Sequence, residues 1–165
     1  MQHHKAGNFS EAECIYQQVL QTDPNQPDAL HLLGLIAHQV GKNDLSLDLV
    51  SRAIDISPEY TEAHNNLGIV LSELGRLDEA MASYHKALAI KPDFAEANYN
   101  LGNLFEKLRQ PDRAVAIYSN ALAIRPDYTE AYTNLGNALT ELGRFDEAVA
   151  NYNSALVIKP NYKEA

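Results

Sequence analysis

The chain has no tryptophan, one cysteine and two methionines among its 165 residues. A single thiol, Cys14, excludes an internal disulfide and leaves no partner for a Cys-x-x-Cys site. On the burial habits of free cysteine it is expected to be a packed, inert thiol. No apolar run approaches the length needed to span a bilayer. The opening Met1-Gln2-His3-His4-Lys5 lacks the apolar core of a signal peptide, so a cytoplasmic location is expected. Positive charge is also scarce. Thirteen Lys and Arg face 22 Asp and Glu, for a net charge of −9, and no basic run occurs. Nucleic-acid binding depends on clustered cations that neutralise phosphates, so neither nucleic acid nor an anionic membrane surface is an expected partner. A basic or neutral polypeptide is.

What is present is a period. Gly34, Gly68, Gly102 and Gly136 stand 34 residues apart, and so do Pro24, Pro58, Pro92, Pro126 and Pro160. Leu33, Leu67, Leu101 and Leu135 precede the glycines. Ala53, Ala87, Ala121 and Ala155 form another register. Tyr16, Tyr84, Tyr118 and Tyr152 form a further one, interrupted by Val50. Residues 61–94 and 129–162 align without a gap and agree at 21 of 34 positions. The chain therefore reads as a single array over 1–165. A partial repeat at 1–26 precedes full repeats at 27–60, 61–94, 95–128 and 129–162, and residues 163–165 open a further one.

Each repeat reads as two helices. In residues 61–94 the first runs from 61 to 74, with Ala63, Leu67, Val70, Leu71 and Leu74 at helical spacing. Gly75-Arg76 is the turn. The second runs from 78 to 90, and Pro92 ends it because proline lacks the N–H and disfavours helix before it. Gly68 and Ala80 are expected where the two helices cross. Two antiparallel helices leave apolar surface uncovered, and stacking of successive pairs removes it, which gives a one-dimensional solenoid.

The set Leu67-Gly68, Ala80, Tyr84, Ala87 and Pro92 resembles the motif of the tetratricopeptide repeat (TPR). It recurs in residues 95–128 and 129–162, and more loosely in 27–60, where Ser46 and Val50 replace alanine and the aromatic. The family's frequent tryptophan is replaced by Leu30, His64, Asn98 and Tyr132. The resemblance implies an all-α TPR solenoid: a right-handed superhelix of antiparallel helix pairs whose concave groove, lined by first helices, binds a peptide or protein without doing chemistry. The register Asn66, Asn100 and Asn134, with Leu32 in the remaining repeat, resembles the asparagine ladder in the TPR arm of O-GlcNAc transferases, where amides grip the backbone of a bound segment. That likeness implies an alternative, the substrate-recognition arm of a protein glycosyltransferase.

The residues themselves support a groove reading. An Asn side chain carries both donor and acceptor and can satisfy an extended backbone without reading its sequence. Asn66, Asn100 and Asn134 are joined by Asn103 and Asn137 one turn on, and Asn65, Tyr99 and Lys107 belong to the same face. These amides bind a ligand, or they bond to neighbouring helices and hold the stack; both readings stand at this stage. Asp28, Glu62, Glu96 and Glu130 occupy one register near the start of each first helix. They form an acidic groove wall selecting basic ligands, or they merely complement helix N-termini. One lysine, Lys107, does not make the cationic clamp by which some TPR modules hold acidic C-termini.

No chemistry-bearing motif competes. The histidines at 3, 4, 31, 38, 64 and 85 lack metal-ligand spacing. No phosphate loop, nucleophile elbow or triad signature occurs. Neither an enzyme activity nor a cofactor is expected. The remaining alternative is an assembly adaptor, because exposed apolar surface around Leu156, Ile158 and Tyr162 favours end-to-end self-association.

Overall fold

The computed structural model describes residues 9–160. Among them are nine α-helices and no strand. They are α1 (Phe9–Thr22), α2 (Pro27–Gln39), α3 (Asn43–Ile56), α4 (Thr61–Glu73), α5 (Leu77–Ile90), α6 (Ala95–Lys107), α7 (Pro111–Ile124), α8 (Thr129–Glu141) and α9 (Phe145–Ile158). The described residues fall into two compact units, divided between Ile90 and Lys91. The first holds α1 to α5 and the second α6 to α9.

Local chemistry sets the helix ends. Pro27 and Pro111 open α2 and α7, where the missing N–H costs nothing. Gln26 caps α2 by accepting the Ala29 N–H at 2.6 Å. Each first helix closes with the same pair of backbone bonds. After α4, Gly75 N–H reaches Ser72 O at 3.2 Å and Arg76 N–H reaches Leu71 O at 2.9 Å. This Schellman closure needs a left-handed residue between them. Gly41, Gly75 and Gly143 supply it with φ of 76°, 77° and 73°. After α6 the residue is Arg109, held at φ 57°.

In the first unit α2 pairs with α3 and α4 with α5, while α1 packs on α2 and α3 on α4. Ala12 and Tyr16 of α1 cluster with Ala29 and Ile36 of α2. Leu49 and Ala53 of α3 cluster with Leu30. In the second unit α6 pairs with α7 and α8 with α9, and α7 packs on α8. First helices also touch each other, α2 with α4 and α6 with α8.

Within each pair the close approach is between glycine and tyrosine. A Cβ on Gly68 would lie 2.5 Å from the Tyr84 ring, and Gly102 and Gly136 stand in the same relation to Tyr118 and Tyr152. The expected small–small crossing at Gly68 and Ala80 is thus a glycine under a ring, with Ala80 fully buried. Cys14 departs from expectation: it is exposed, with Gln18 Nε2 at 3.7 Å from its sulfur. It lies on a face of α1 other than the one carrying Ala12 and Tyr16, which are buried. Residues 161–165, including Tyr162, lie outside the described residues, as do His3 and His4.

Candidate functional site

The candidate amides sit on first helices, and two of them, Asn66 and Asn134, reach the adjoining first helix of the same unit. In the second unit Asn134 of α8 directs its Nδ2 to two acceptors on α6: Asn103 Oδ1 at 2.9 Å and Tyr99 Oη at 3.1 Å. Both amide protons are thereby engaged. Tyr118 of α7 brings its hydroxyl to Asn103 Oδ1 at 2.6 Å and to Glu106 Oε2 at 2.9 Å. Tyr99 packs on Tyr128, at the start of α8, with ring centroids 4.9 Å apart. Asn137 accepts the Tyr152 hydroxyl at 2.8 Å. Asn100 is half-buried and engaged in the structure.

The first unit repeats part of the arrangement, with His31 in place of Tyr99, Leu35 in place of Asn103 and Val50 in place of Tyr118. Asn66 of α4 places Nδ2 2.7 Å from Nε2 of His31 on α2. His31 Nδ1 lies 3.0 Å from the hydroxyl of Tyr60, which precedes α4. The two rings meet edge to face at 4.8 Å. His31, Tyr60 and Asn66 correspond, two repeats on, to Tyr99, Tyr128 and Asn134. Asn65 is buried and turns its Nδ2 to Asn66 Oδ1 at 3.4 Å.

The acidic register is not uniform. Glu62 and Glu130 are exposed, and Asp28 is exposed with Gln26 Nε2 at 3.4 Å. Glu96 is half-buried and bonded to Arg125, whose guanidinium stacks over Tyr128. Desolvation raises the Glu96 carboxyl, but the Arg125 bond and charge outweigh it and hold it below its ordinary range. One member of this register is therefore already paired with a cation of the chain. Lys107 is exposed and has its own interaction.

Burial governs the hydroxyls here. It pushes Tyr60 above its ordinary range, with the carboxylate of Asp28 adding to the effect. It pushes Tyr118 up likewise, reinforced by the charge of Glu106. These phenols are neutral donors at any physiological pH. Among the described residues no group of three or more His, Cys, Asp or Glu comes together in a metal-binding arrangement. No described helix is long and apolar enough to cross a membrane.

Three partners of the amides lie outside the candidates named from sequence: His31, Tyr118 and Tyr152. Tyr60 joins them through His31. A signal exists for the three tyrosines. An aromatic stands just before three of the four first helices, at 60, 94 and 128, and a tyrosine stands 16 residues after each of three glycines. His31 enters the sequence reading only among the metal-ligand candidates, and its 34-residue alignment with Tyr99 two repeats later is the available clue.

Comparison with known proteins accords with this architecture. A tetratricopeptide repeat family model matches residues 3–61 and 99–163, and a further TPR repeat model matches 70–108. No curated protein sequence matches the chain. Among solved structures, MamA is 26% identical with a TM-score of 0.83, over 96% of this chain and 93% of that one. TTC0263, a thermophilic TPR protein of Thermus thermophilus, is 24% identical with a TM-score of 0.83, over 97% and 88%. YrrB, described as a TPR protein with an unusual peptide-binding site, is 18% identical with a TM-score of 0.75, over 98% and 84%. The last two show the fold alone. On the family match, which covers most of its length, the chain belongs to the tetratricopeptide repeat family and is an all-α protein–protein interaction scaffold.

Proposed function

We propose that the first helices of each unit hold an extended segment of a partner protein by its backbone, and that the chain performs no chemistry of its own. The observation that carries this is the state of Asn134. Its two amide protons are fixed on α6, while its Oδ1 takes no bond from any described residue. The side chain is half-buried and cannot turn without breaking both bonds. A fixed, unused acceptor is preorganised for a backbone N–H, at about 0.5–1.5 kcal/mol per bond. The amides thus hold adjoining first helices together and offer what capacity remains to a ligand, so the two readings of the Asn register are complementary. Net charge of −9 disfavours nucleic acid as the partner. It favours a segment of neutral or positive charge, which Glu62 and Glu130 would attract in a salt-sensitive way.

The test is selection of a phage-displayed random peptide library on the immobilised chain. Peptides enriched on it should bind the Asn66→Ala, Asn100→Ala and Asn134→Ala triple variant several-fold more weakly, with helical circular dichroism retained. Equal enrichment on the folded variant overturns the proposal.

A second reading rests on α9. Phe145, Val149 and Val157 of α9 are 63%, 57% and 81% exposed. Such apolar exposure favours association. Self-association through α9 predicts that elution volume falls with protein concentration, and that Phe145→Glu with Val149→Glu abolishes the change. A concentration-independent elution volume contradicts it.

A further inference from the structure

His31 is buried, at 4% exposure, and sits inside a chain of hydrogen bonds whose direction can be deduced. Asn65 Nδ2 donates to Asn66 Oδ1 at 3.4 Å, which leaves Asn66 Nδ2 toward the ring. An amide nitrogen only donates, so His31 Nε2, 2.7 Å away, accepts from it. The proton of a neutral ring then sits on Nδ1, which donates to the Tyr60 hydroxyl oxygen at 3.0 Å. Each link follows from the orientation of the Asn66 amide, and all donors point the same way.

We propose that His31 is a positioning residue which fixes the orientation of the Asn66 amide, and that protonating His31 reverses or releases that amide and so weakens segment binding in the first unit. The inference rests on the reading of Asn66 as a backbone contact. An imidazolium has two donors. Its Nδ1–H still serves Tyr60, but its new Nε2–H faces the Asn66 amide N–H₂. Two donors cannot share that contact, so the amide turns its oxygen to the ring. Its N–H₂ then faces the N–H₂ of Asn65, which is buried at 6% exposure and poorly placed to retreat. Proton uptake at one ring nitrogen thereby exchanges the donor and acceptor that Asn66 presents.

The surroundings of the ring favour this control. From α4 and its cap come Tyr60 and Glu62, the latter bearing on the Tyr60 hydroxyl; from α2 itself comes Asp28. From α1 the titratable side chain packed on α2 is Tyr16, and from α3 the packed residues are Leu49 and Ala53. Imidazole is the side chain that ordinarily changes charge over the range of physiological acidification; the carboxylates named here favour the cation, and the burial of the ring opposes it. The second unit is a built-in control. There Tyr99 stands where His31 stands, and Asn134 Nδ2 meets a hydroxyl oxygen at 3.1 Å that gains no proton in this range.

The experiment is ¹⁵N NMR of the whole chain between about pH 7.5 and 5.5, with the His31 signals identified by their loss in His31→Tyr. At the upper pH, His31 should be the Nδ1–H tautomer. As it protonates, the Asn66 side-chain amide should shift along the same curve while the Asn134 amide stays still. His31→Tyr should hold the Asn66 amide still as well. A library-selected peptide that binds through the first unit should lose roughly threefold to tenfold in affinity over this range, and lose none of it on His31→Tyr. An Nε2–H tautomer, an Asn66 amide indifferent to His31, or a ring that takes up no proton by pH 5.5 each overturns the proposal. A coupled amide shift with unchanged peptide affinity overturns the control of binding and identifies Asn66 as a purely structural amide.

Discussion

Gly102 lies beneath the ring of Tyr118, so close that a Cβ added to it would stand 2.5 Å from Cε1. The ring is fully buried and its hydroxyl is held by Asn103 and Glu106, so it cannot swing aside. The relation ties the helix pair to the candidate site, because the approach of α6 and α7 sets where the hydroxyl meets the amides. Gly102→Ala should cost about 1–3 kcal/mol by overpacking, read as a lower urea midpoint. It should also perturb Asn103. The same change at Gly34 meets Val50 Cγ2 at 2.7 Å, the tip of a smaller side chain without a tethering hydroxyl, and should cost less. Equal costs at the two sites would show that the tether is irrelevant.

Arg109 occupies the turn position where the other repeats have Gly41, Gly75 and Gly143, and it is the one non-glycine described residue at positive φ. A side chain there costs about 1 kcal/mol relative to glycine, since Cβ crowds the following carbonyl. Its ion pair with Glu141 spans 3.6 Å with Arg109 85% exposed, an interaction of little worth in water. Arg109→Gly is therefore expected to raise the melting temperature by a few degrees. A lower melting temperature would mean that the exposed pair contributes more than the backbone strain removes.

Asn134 and Tyr99 test whether the amides hold first helices together. Tyr99→Phe removes one acceptor of Asn134 Nδ2 and leaves Asn103 as the other. The double-mutant cycle with Asn134→Ala should give a coupling of about 0.5–1.5 kcal/mol in chemical denaturation. A coupling near zero would place the holding role on Asn103 alone.

The fold is legible because a solenoid is written locally. The steps of glycine, proline and alanine at 34 residues mark helix ends and close contacts within one pair, and the turn at Gly75-Arg76 falls where the Schellman closure forms. The candidate site is legible only in part. The register of Asn66, Asn100 and Asn134 locates amides on first helices, but an amide's bonding depends on residues roughly one repeat away along the chain. His31 for Asn66 and Tyr99 for Asn134 differ in chemistry though they share a register. Periodicity averages over that difference, which is why His31 reads from sequence only as a poor metal ligand. Cys14 departs from its expected burial for a similar reason, because residue type sets burial on average and helix phase sets it in particular.

Glu106 offers the clearest test by pH. Burial lifts its carboxyl above the ordinary range and the charge of Glu141 adds to the lift, while the Tyr118 hydrogen bond pulls the other way. A raised carboxyl in the folded state means that the native protein binds more protons than the unfolded chain between the ordinary value and the raised one. Stability therefore falls as pH rises through that window, and the penalty stays in full above it. Below the ordinary value both states are protonated and the penalty is absent. Glu106→Gln keeps an oxygen for the Tyr118 hydroxyl and removes the charge. It should be more stable than the native chain at pH 7, equal to it near pH 3, and flatter in between, as read by urea titrations at each pH. A variant less stable at pH 7 would show that the ionised form is the one the Tyr118 hydroxyl favours, and that this bond outweighs desolvation.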